Sequence, residues 1–559
     1  VYLETFGCQM NVLDSELAAG ALRALGYRFV DDSNDAGVIL YNTCSVRDHA
    51  EQKVRSRLGE MAVRKRREPS LVVGVLGCMA ERDGQAIFHK SPVVDVLCGP
   101  SELDKLPALL DNAVRTRVSL VGDRLDNNHR CNAVIADRSA KVAALQGGAS
   151  RRSATLSAAA DHLELLDLSR AISPSDHNGS AYVRITRGCN KFYTYCVVPY
   201  TRGAETHRPP DHIVDECKRL ADAGVLEITL LGQTVNHYRF EHGASVVVGG
   251  VTQPQKGRAI KPNMNSARHG AAARVTTFAD LLKRVHDEVP AIKRLRFVTS
   301  YPRDFTDDAL QVMRDSPRIC RYLHAPAQSG SDAALTRMNR GYTVSEYMEF
   351  VDRARSFLDE PEKGRPLMLA GDIIVGFSGE TEAEFHETLT LLERVRYKSC
   401  FIFKYSPRPG TAAFDRLPDD VPDEVKRRRN NEALALQHTI SDEISQGFAG
   451  DVVHVFVEGV SAQERKRQAS EQVQTGKYAA VTIGGDAVAG GAAPVGQGAA
   501  RRVPINGSDG RVQMTGRTDG DMIVHFDAPA GLAPDDLVGR IVPVRIERAS
   551  VLSLFGALA

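Results

Sequence analysis

Apolar runs of strand length alternate with helical segments twice along the chain, and that alternation restricts the fold more than any other feature. From residue 1 to about 125 the runs "VYLETF", "GVILYNT", "LVVGVLG" and "VVDVL" are separated by segments such as "SELAAGALRALG" and "RDHAEQKVRSRLGEMAVRK". A helix of that length carries the chain back to the start of the next strand, so the strands pair in one direction. A parallel α/β sheet is expected over 1–125. From about 181 to 406 the pattern returns with "AYVRIT", "LEITLLG", "RLRFVTS", "RYLHAP", "LMLAGDIIVGF" and "CFIFKYS". Six βα units predict a complete or partial barrel of TIM type. Beyond the helical stretch "EVKRRRNNEALALQHTISDEI", the runs "VVHVFVEG", "QMTGRTDGDMIVHFD" and "RIVPVRIERA" read as short strands of a small β-barrel.

Three stretches break the pattern: 131–160, 241–276 and 462–510, rich in Gly, Ala, Ser and Arg. They offer little periodic apolar surface to bury and are expected to be mobile insertions or linkers without chemistry. The division expected is therefore 1–125, a linker over 126–175, a barrel over 176–448 and a small barrel over 449–555.

A chain of 559 residues can hold several cores. Its formal net charge of +1 excludes a global basic field, so contact with nucleic acid has to come from local clusters. Ten cysteines are too sparse for a disulfide scaffold and suit a reducing compartment, so a cytoplasmic location is expected. No run approaches the roughly 18 to 20 apolar residues of a membrane span, and the opening does not read as a leader. No membrane partner is expected.

Cys8, Cys44 and Cys78 each end an apolar run, in "YLETFGC", "VILYNTC" and "VVGVLGC". If those strands are parallel, the three thiols emerge at the carboxyl edge of one sheet, where open α/β folds bind ligands. Three thiolates there can hold a [4Fe-4S] cluster and leave one iron open. Taken singly, each reads rather as an ordinary small buried residue; three at matching strand ends favour the metal. Cys98, Cys131, Cys217, Cys320 and Cys400 lack paired spacing and read as packing residues.

A second constellation, "RGCNKFYTYCVVPYTRG" over 187–203, follows the first barrel strand. It resembles the Cys-x3-Cys-x2-Cys loop of radical S-adenosylmethionine (SAM) enzymes, with Tyr193 at the second Cys position between Cys189 and Cys196. With it, "YLETFGCQMNVLDSE", "NTCSVRDHAEQKV", "GCMAER", "VVPYTRGAE", "LLGQTVN", "QSGSD", "MNRGYT", "DIIVGFSGETEAEF" and "FKYSPRPGT" resemble the methylthiotransferase family of radical SAM enzymes across nearly all of the chain outside the three stretches. Within that family the opening "ETFGCQMN" is most similar to the branch acting on N(6)-dimethylallyladenosine of tRNA; the branch acting on threonylcarbamoyladenosine and a non-catalytic tRNA-binding member are the alternatives.

The resemblance implies two [4Fe-4S] clusters, with Cys8, Cys44 and Cys78 as ligands of one and Cys189 and Cys196 as ligands of the other. It implies that SAM chelates the open iron of the barrel cluster, that its reductive cleavage yields a radical that takes hydrogen from C2 of the adenine, and that the N-terminal cluster supplies the sulfur. Tyr195, Gln233, Ser300, Gln328, Gly376 and Glu380 are implied to line SAM, with Gly379 in the same "IVGFSGE" segment. The C-terminal barrel resembles a TRAM domain, an RNA-binding module of OB-like kind, implied to grip the tRNA anticodon stem-loop with groups such as Arg517 and Arg540. A reductant protein, a sulfur donor and a monomeric state complete the expectation.

Tyr193 is a poor substitute for a thiol ligand, because clusters prefer soft thiolates. Ionising a phenol instead of a thiol at neutral pH costs about 2 kcal/mol more on reference values, and the ring carries its oxygen further out. Three readings stay open: assembly on two thiolates with another ligand, loss of radical chemistry with tRNA binding retained, or an error at that codon.

Overall fold

The computed structural model describes residues 1–45, 48–126, 141–146, 161–172, 179–257, 274–474, 511–529 and 531–559. They divide into two compact units, 1–441 and 442–559.

The first unit opens with a five-stranded parallel sheet in chain order: β1 (Tyr2–Phe6), β2 (Val38–Thr43), β3 (Val72–Gly77), β4 (Val96–Cys98) and β5 (Val142–Ala144). Every residue of β2 and β3 is buried, as a central strand covered on both faces requires, and their Val, Ile and Leu content follows from that. Helices Gln9–Ala24 and Leu106–Asp126 supply Leu22, Leu106 and Leu110 to the core on one side. Val54 and Leu58 of helix Asp48–Arg67 pack with Ile39, Val73 and Val75 on the other. Each such aliphatic side chain contributes about 1.5–3 kcal/mol on full burial.

The barrel that follows consists of six parallel strands in two three-stranded sheets. β6 (Ser180–Arg184), β9 (Glu227–Leu231) and β15 (Arg294–Phe297) form one, with β9 central; β16 (Tyr322–His324), β17 (Met368–Val375) and β18 (Ser399–Lys404) form the other. A parallel bridge from Leu295 to Ile319 joins them. The second unit is a closed barrel of β19 (Val452–Val460), β20 (Gln513–Arg517), β21 (Ile523–Asp527), β23 (Ser553–Leu558) and β22 (Ile541–Ser550), around Val455, Met514, Val524, Phe526, Val544 and Leu554.

The three stretches expected to be mobile need correction where they are described. β5 lies inside 131–160 and completes the first sheet, because Val142, Ala143 and Ala144 pair in register with Val96, Leu97 and Cys98. The sheet therefore extends past the boundary at 125, into what was expected to be linker. Residues 239–257 and 274–277 form β10 (Arg239–Glu241) on β14 (Val275–Thr277), β11 (Val247–Val248) on β12 (Val251–Thr252), and β13 (Gln255–Lys256) on β8 (Thr206–His207), itself paired with β7 (Thr186–Arg187). The start of the third stretch is a helix, Ala462–Gln474. Short pairings of polar and small residues leave no periodic apolar pattern, so composition misses them. Cys131 lies outside the described residues.

A buried chain of ion pairs ties the first sheet to the barrel. Arg184 on β6 pairs with Asp167 (2.8 Å) and Asp14 (3.5 Å), Arg202 with Asp14 (2.8 Å), Arg208 with Glu164 (2.9 Å) and Glu216 (2.8 Å), and Arg170 with Glu216 (3.1 Å) and Glu16 (2.5 Å). Asp14 and Glu16 belong to helix Gln9–Ala24, and Glu164 and Asp167 to helix His162–Leu168. Charges taken out of water need such partners, and each pair fixes how one element meets the next.

Candidate active site: two thiol groups at strand ends

The first thiol group is built by register. Phe6 pairs with Thr43 and Thr43 with Gly77, so the three strands finish level, and Cys44 and Cys78 are the next residues. Cys8 stands two residues past Phe6, where it caps helix Gln9–Ala24; Cys78 begins helix Cys78–Asp83. Gly77 makes the turn between strand and thiol: its φ is +87°, and a Cβ there would come 2.3 Å from Asn42 Oδ1. A Cβ on Gly7 would sit 2.9 Å from the Cys44 Cβ, which measures how closely the first two strand ends approach.

The Cys8 thiol donates to Asn11 Oδ1 (3.3 Å), and Asn11 Nδ2 donates to Asn42 Oδ1 (3.0 Å), locking the strand ends together. A hydrogen bond from Cys44 pulls Cys8 down to about 5, against the opposing effect of burial. Burial pushes Cys78 up, opposed by the Arg202 guanidinium. Among the described residues no three His, Cys, Asp or Glu side chains are arranged to hold a single metal ion. Three thiols at one sheet edge are donors of the soft kind that iron-sulfur clusters take.

The second group follows β6. Gly188 (φ +66°) precedes Cys189 and has no room for a side chain, since a Cβ would lie 2.2 Å from Ala204 O. Burial pushes Cys189 up to about 12, with the neighbouring Cys196 adding to the effect, and burial also raises Cys196. Cys196 also feels Cys78, and helix Cys78–Asp83 packs against helix Val198–Thr201, so the two thiol groups are neighbours.

Tyr193 does not join them. Its ring stacks on Tyr195 (centroids 5.9 Å, 9° between planes), lies 6.4 Å from Tyr301, and is capped by the Arg340 guanidinium at 4.2 Å. Arg340 in turn donates to Tyr342 Oη (2.9 and 2.7 Å), Tyr195 Oη (3.3 Å) and Pro326 O (2.7 Å). The loop tip is pinned as well: Thr194 N donates to Met338 O, Thr194 Oγ1 to Arg337 O, and Asn339 Nδ2 to Phe192 O. Burial raises the phenol far above its ordinary pKa. The loop offers two thiols and a phenol held elsewhere, and this donor set does not fit a cluster that needs three thiolates.

The remaining expected residues fall at barrel strand ends. Gln233 follows β9, Ser300 follows β15, Gln328 follows β16 with φ +74°, and Gly376 follows β17 with φ +71°. Gly376 N donates to Glu380 Oε2 (2.6 Å), which also receives Arg429 Nη1 (2.8 Å); burial nonetheless raises the Glu380 carboxyl. Ser300 Oγ and Glu380 Oε1 are buried and receive no hydrogen bond, polar atoms turned to no protein group. Residues not singled out by pattern complete the site: Arg202 and Asp14 beneath the first thiols, Thr234 against Cys189, and Arg340. Arg202 lies in "YTRG" and Arg340 in "MNRGYT", the only signal that could have found them. Cys98, Cys217 and Cys320 are buried and Cys400 is half-buried on β18.

Comparison with known proteins bears on this arrangement. Residues 1–99 match the model of an uncharacterized protein family, UPF0004, and residues 183–392 that of the radical SAM superfamily. The tRNA-2-methylthio-N(6)-dimethylallyladenosine synthase of Rhodopirellula baltica is 39% identical over 556 residues, 100% of this chain and 95% of that one. The chain belongs to the methylthiotransferase family of radical SAM enzymes. Synthases of the same name from Syntrophotalea carbinolica (34% over 545 residues; 98% of this chain, 96% of that one) and Thermoanaerobacter sp. (37% over 471 residues; 84% of each) are further members. Among solved structures, the radical S-adenosylmethionine methyltransferase TsrM of Kitasatospora setae superposes with a TM-score of 0.44 at 13% identity, over 80% of this chain and 78% of that one. Family membership implies a [4Fe-4S] cluster and SAM. Among the described residues no helix is long and apolar enough to cross a membrane.

Proposed function

We propose that this chain is a tRNA methylthiotransferase that acts at C2 of N(6)-dimethylallyladenosine beside the anticodon. The observation that carries this reading is the adjacency of the two thiol groups, with Cys78 within electrostatic reach of Cys196. A sulfur held at the first sheet has only a short way to go to a base presented in the barrel. In this reading Cys8, Cys44 and Cys78 hold the N-terminal cluster, and Tyr195, Gln233, Ser300, Gln328, Gly376 and Glu380 line SAM. The one-electron chemistry of the family belongs to a barrel cluster with SAM, and the Cys189–Cys196 loop supports it only where a ligand other than Tyr193 completes the set.

The chain's own contribution is placement. Arg202 sets a buried positive charge beside Cys8 and Cys78 and is itself oriented by Asp14 at 2.8 Å. Glu380, tethered by Arg429 and the Gly376 amide, keeps one oxygen for a polar ligand. The second unit, a TRAM-like barrel, grips the stem-loop with exposed arginines such as Arg540 and Arg545; a cytoplasmic, monomeric protein served by a separate reductant and sulfur donor belongs to the same reading. A second reading, tRNA binding without turnover, is favoured by the position of the Tyr193 ring. Anaerobic incubation with SAM, reductant and tRNA, followed by mass analysis of nucleosides, separates the two. A 2-methylthio nucleoside with release of deoxyadenosine supports the enzyme; bound tRNA with neither product supports the binder.

A further inference from the structure

β18 is the outermost strand of its sheet, and among the described residues it pairs only with β17. Large apolar side chains on such a strand are normally covered, yet Phe401 is 55% exposed and Phe403 38% exposed, their rings stacked at 6.2 Å with 17° between planes. Register settles which face they share. Phe401 lies opposite Asp372 and Phe403 opposite Ile374, so these four side chains stand on one face of the sheet. Ile374 packs against the buried cluster of Met338, Phe377, Tyr405 and Ala413, and Tyr195 of the Cys189–Cys196 loop packs against the same cluster, so that face and the loop share one core. The alternate residue Gly371 faces the other way, against the Tyr397 ring. His324, of the same parity, reaches Asp372 at 3.4 Å.

A pair of exposed, parallel aromatic rings beside a reaction centre is a surface on which a planar base can lie. We propose that Phe401 and Phe403 form the platform for the target purine and its N(6) substituent, and that they make the site select an apolar dimethylallyl group. The inference rests on the tRNA reading above and assigns the residues that recognise its substituent. Asp372 supplies the exclusion. A threonylcarbamoyl substituent ends in a carboxylate, and on an apolar wall where Asp372 already engages His324 at 3.4 Å that carboxylate is left poorly solvated and without a partner of its own.

The test is binding of the full chain to three anticodon stem-loop RNAs differing at one position: N(6)-dimethylallyladenosine, adenosine or threonylcarbamoyladenosine. Fluorescence anisotropy is expected to favour dimethylallyladenosine over adenosine by roughly tenfold and to give threonylcarbamoyladenosine no advantage. The Phe401→Ala, Phe403→Ala double variant is expected to bring dimethylallyladenosine to the adenosine level while adenosine binding holds, and Phe401→Tyr to keep the preference. Because both side chains are exposed, an unchanged melting temperature is the check on folding. A preference that survives the double substitution overturns the platform, and so does wild-type binding that ignores the substituent. Failure to bind any of the three overturns the tRNA reading itself, and the platform with it.

Discussion

At the scale of single residues, Tyr193 decides what the barrel loop can hold. Its position between two thiols is evident from the spacing, but which way the ring turns is not, because the partners that hold it come from segments more than a hundred residues away. Arg340 and Tyr301 place the phenol in a cage of rings, and the hydrogen bonds of Thr194 and Asn339 fix the loop tip around it. Anaerobic reconstitution of the wild type followed by desalting is therefore expected to leave about four irons per chain, at the first sheet. Tyr193→Cys should raise the count to about eight, and Tyr193→Phe, which keeps the stack and removes the oxygen, should leave it at about four. A wild-type count near eight would contradict the two-thiol description.

Among the elements, the segment 241–257 departs furthest from its expectation, since composition marks it as an insertion or linker and the chain uses it largely in strands. Hydrogen bonding explains the difference. β13 completes the edge of β8, and Arg239 N donates to His207 Nδ1 at 3.0 Å, so the pairing depends on backbone groups that composition does not register. Burial lowers His207 to about 4, and its ring is neutral in the folded chain at neutral pH. The unfolded chain takes up its proton near the ordinary value of 6.5, before the folded one does. The stability from His207 is therefore complete above pH 6.5 and lost as pH falls through 4, about 3 kcal/mol in all. Chemical denaturation of the metal-free protein at pH 7 and pH 4 should show His207→Asn losing less than the wild type over that interval by an amount of this order.

For the whole molecule, the division into 1–441 and 442–559 separates thiol chemistry from the small barrel. Arg517 shows why residue identity alone does not locate an RNA contact. Its guanidinium is engaged by Glu458 (2.9 Å) and Asp521 (3.1 Å), whereas Arg540 and Arg545 are exposed. Titrating an anticodon stem-loop at several salt concentrations should show each of Arg540→Ala and Arg545→Ala reducing the slope of log affinity against log salt by about 1. Arg517→Ala should leave that slope unchanged. The alternation of strands and helices by itself determined that Cys8, Cys44 and Cys78 end at one sheet edge, because parallel strands joined by crossover helices must all finish on the same side. Only the tertiary structure decided that Cys196 comes up beside Cys78, that Tyr193 turns to Arg340 and that Phe401 and Phe403 stand exposed on the face of the sheet that carries Asp372 and Ile374. Those outcomes depend on contacts between distant segments, which neither periodicity nor spacing encodes.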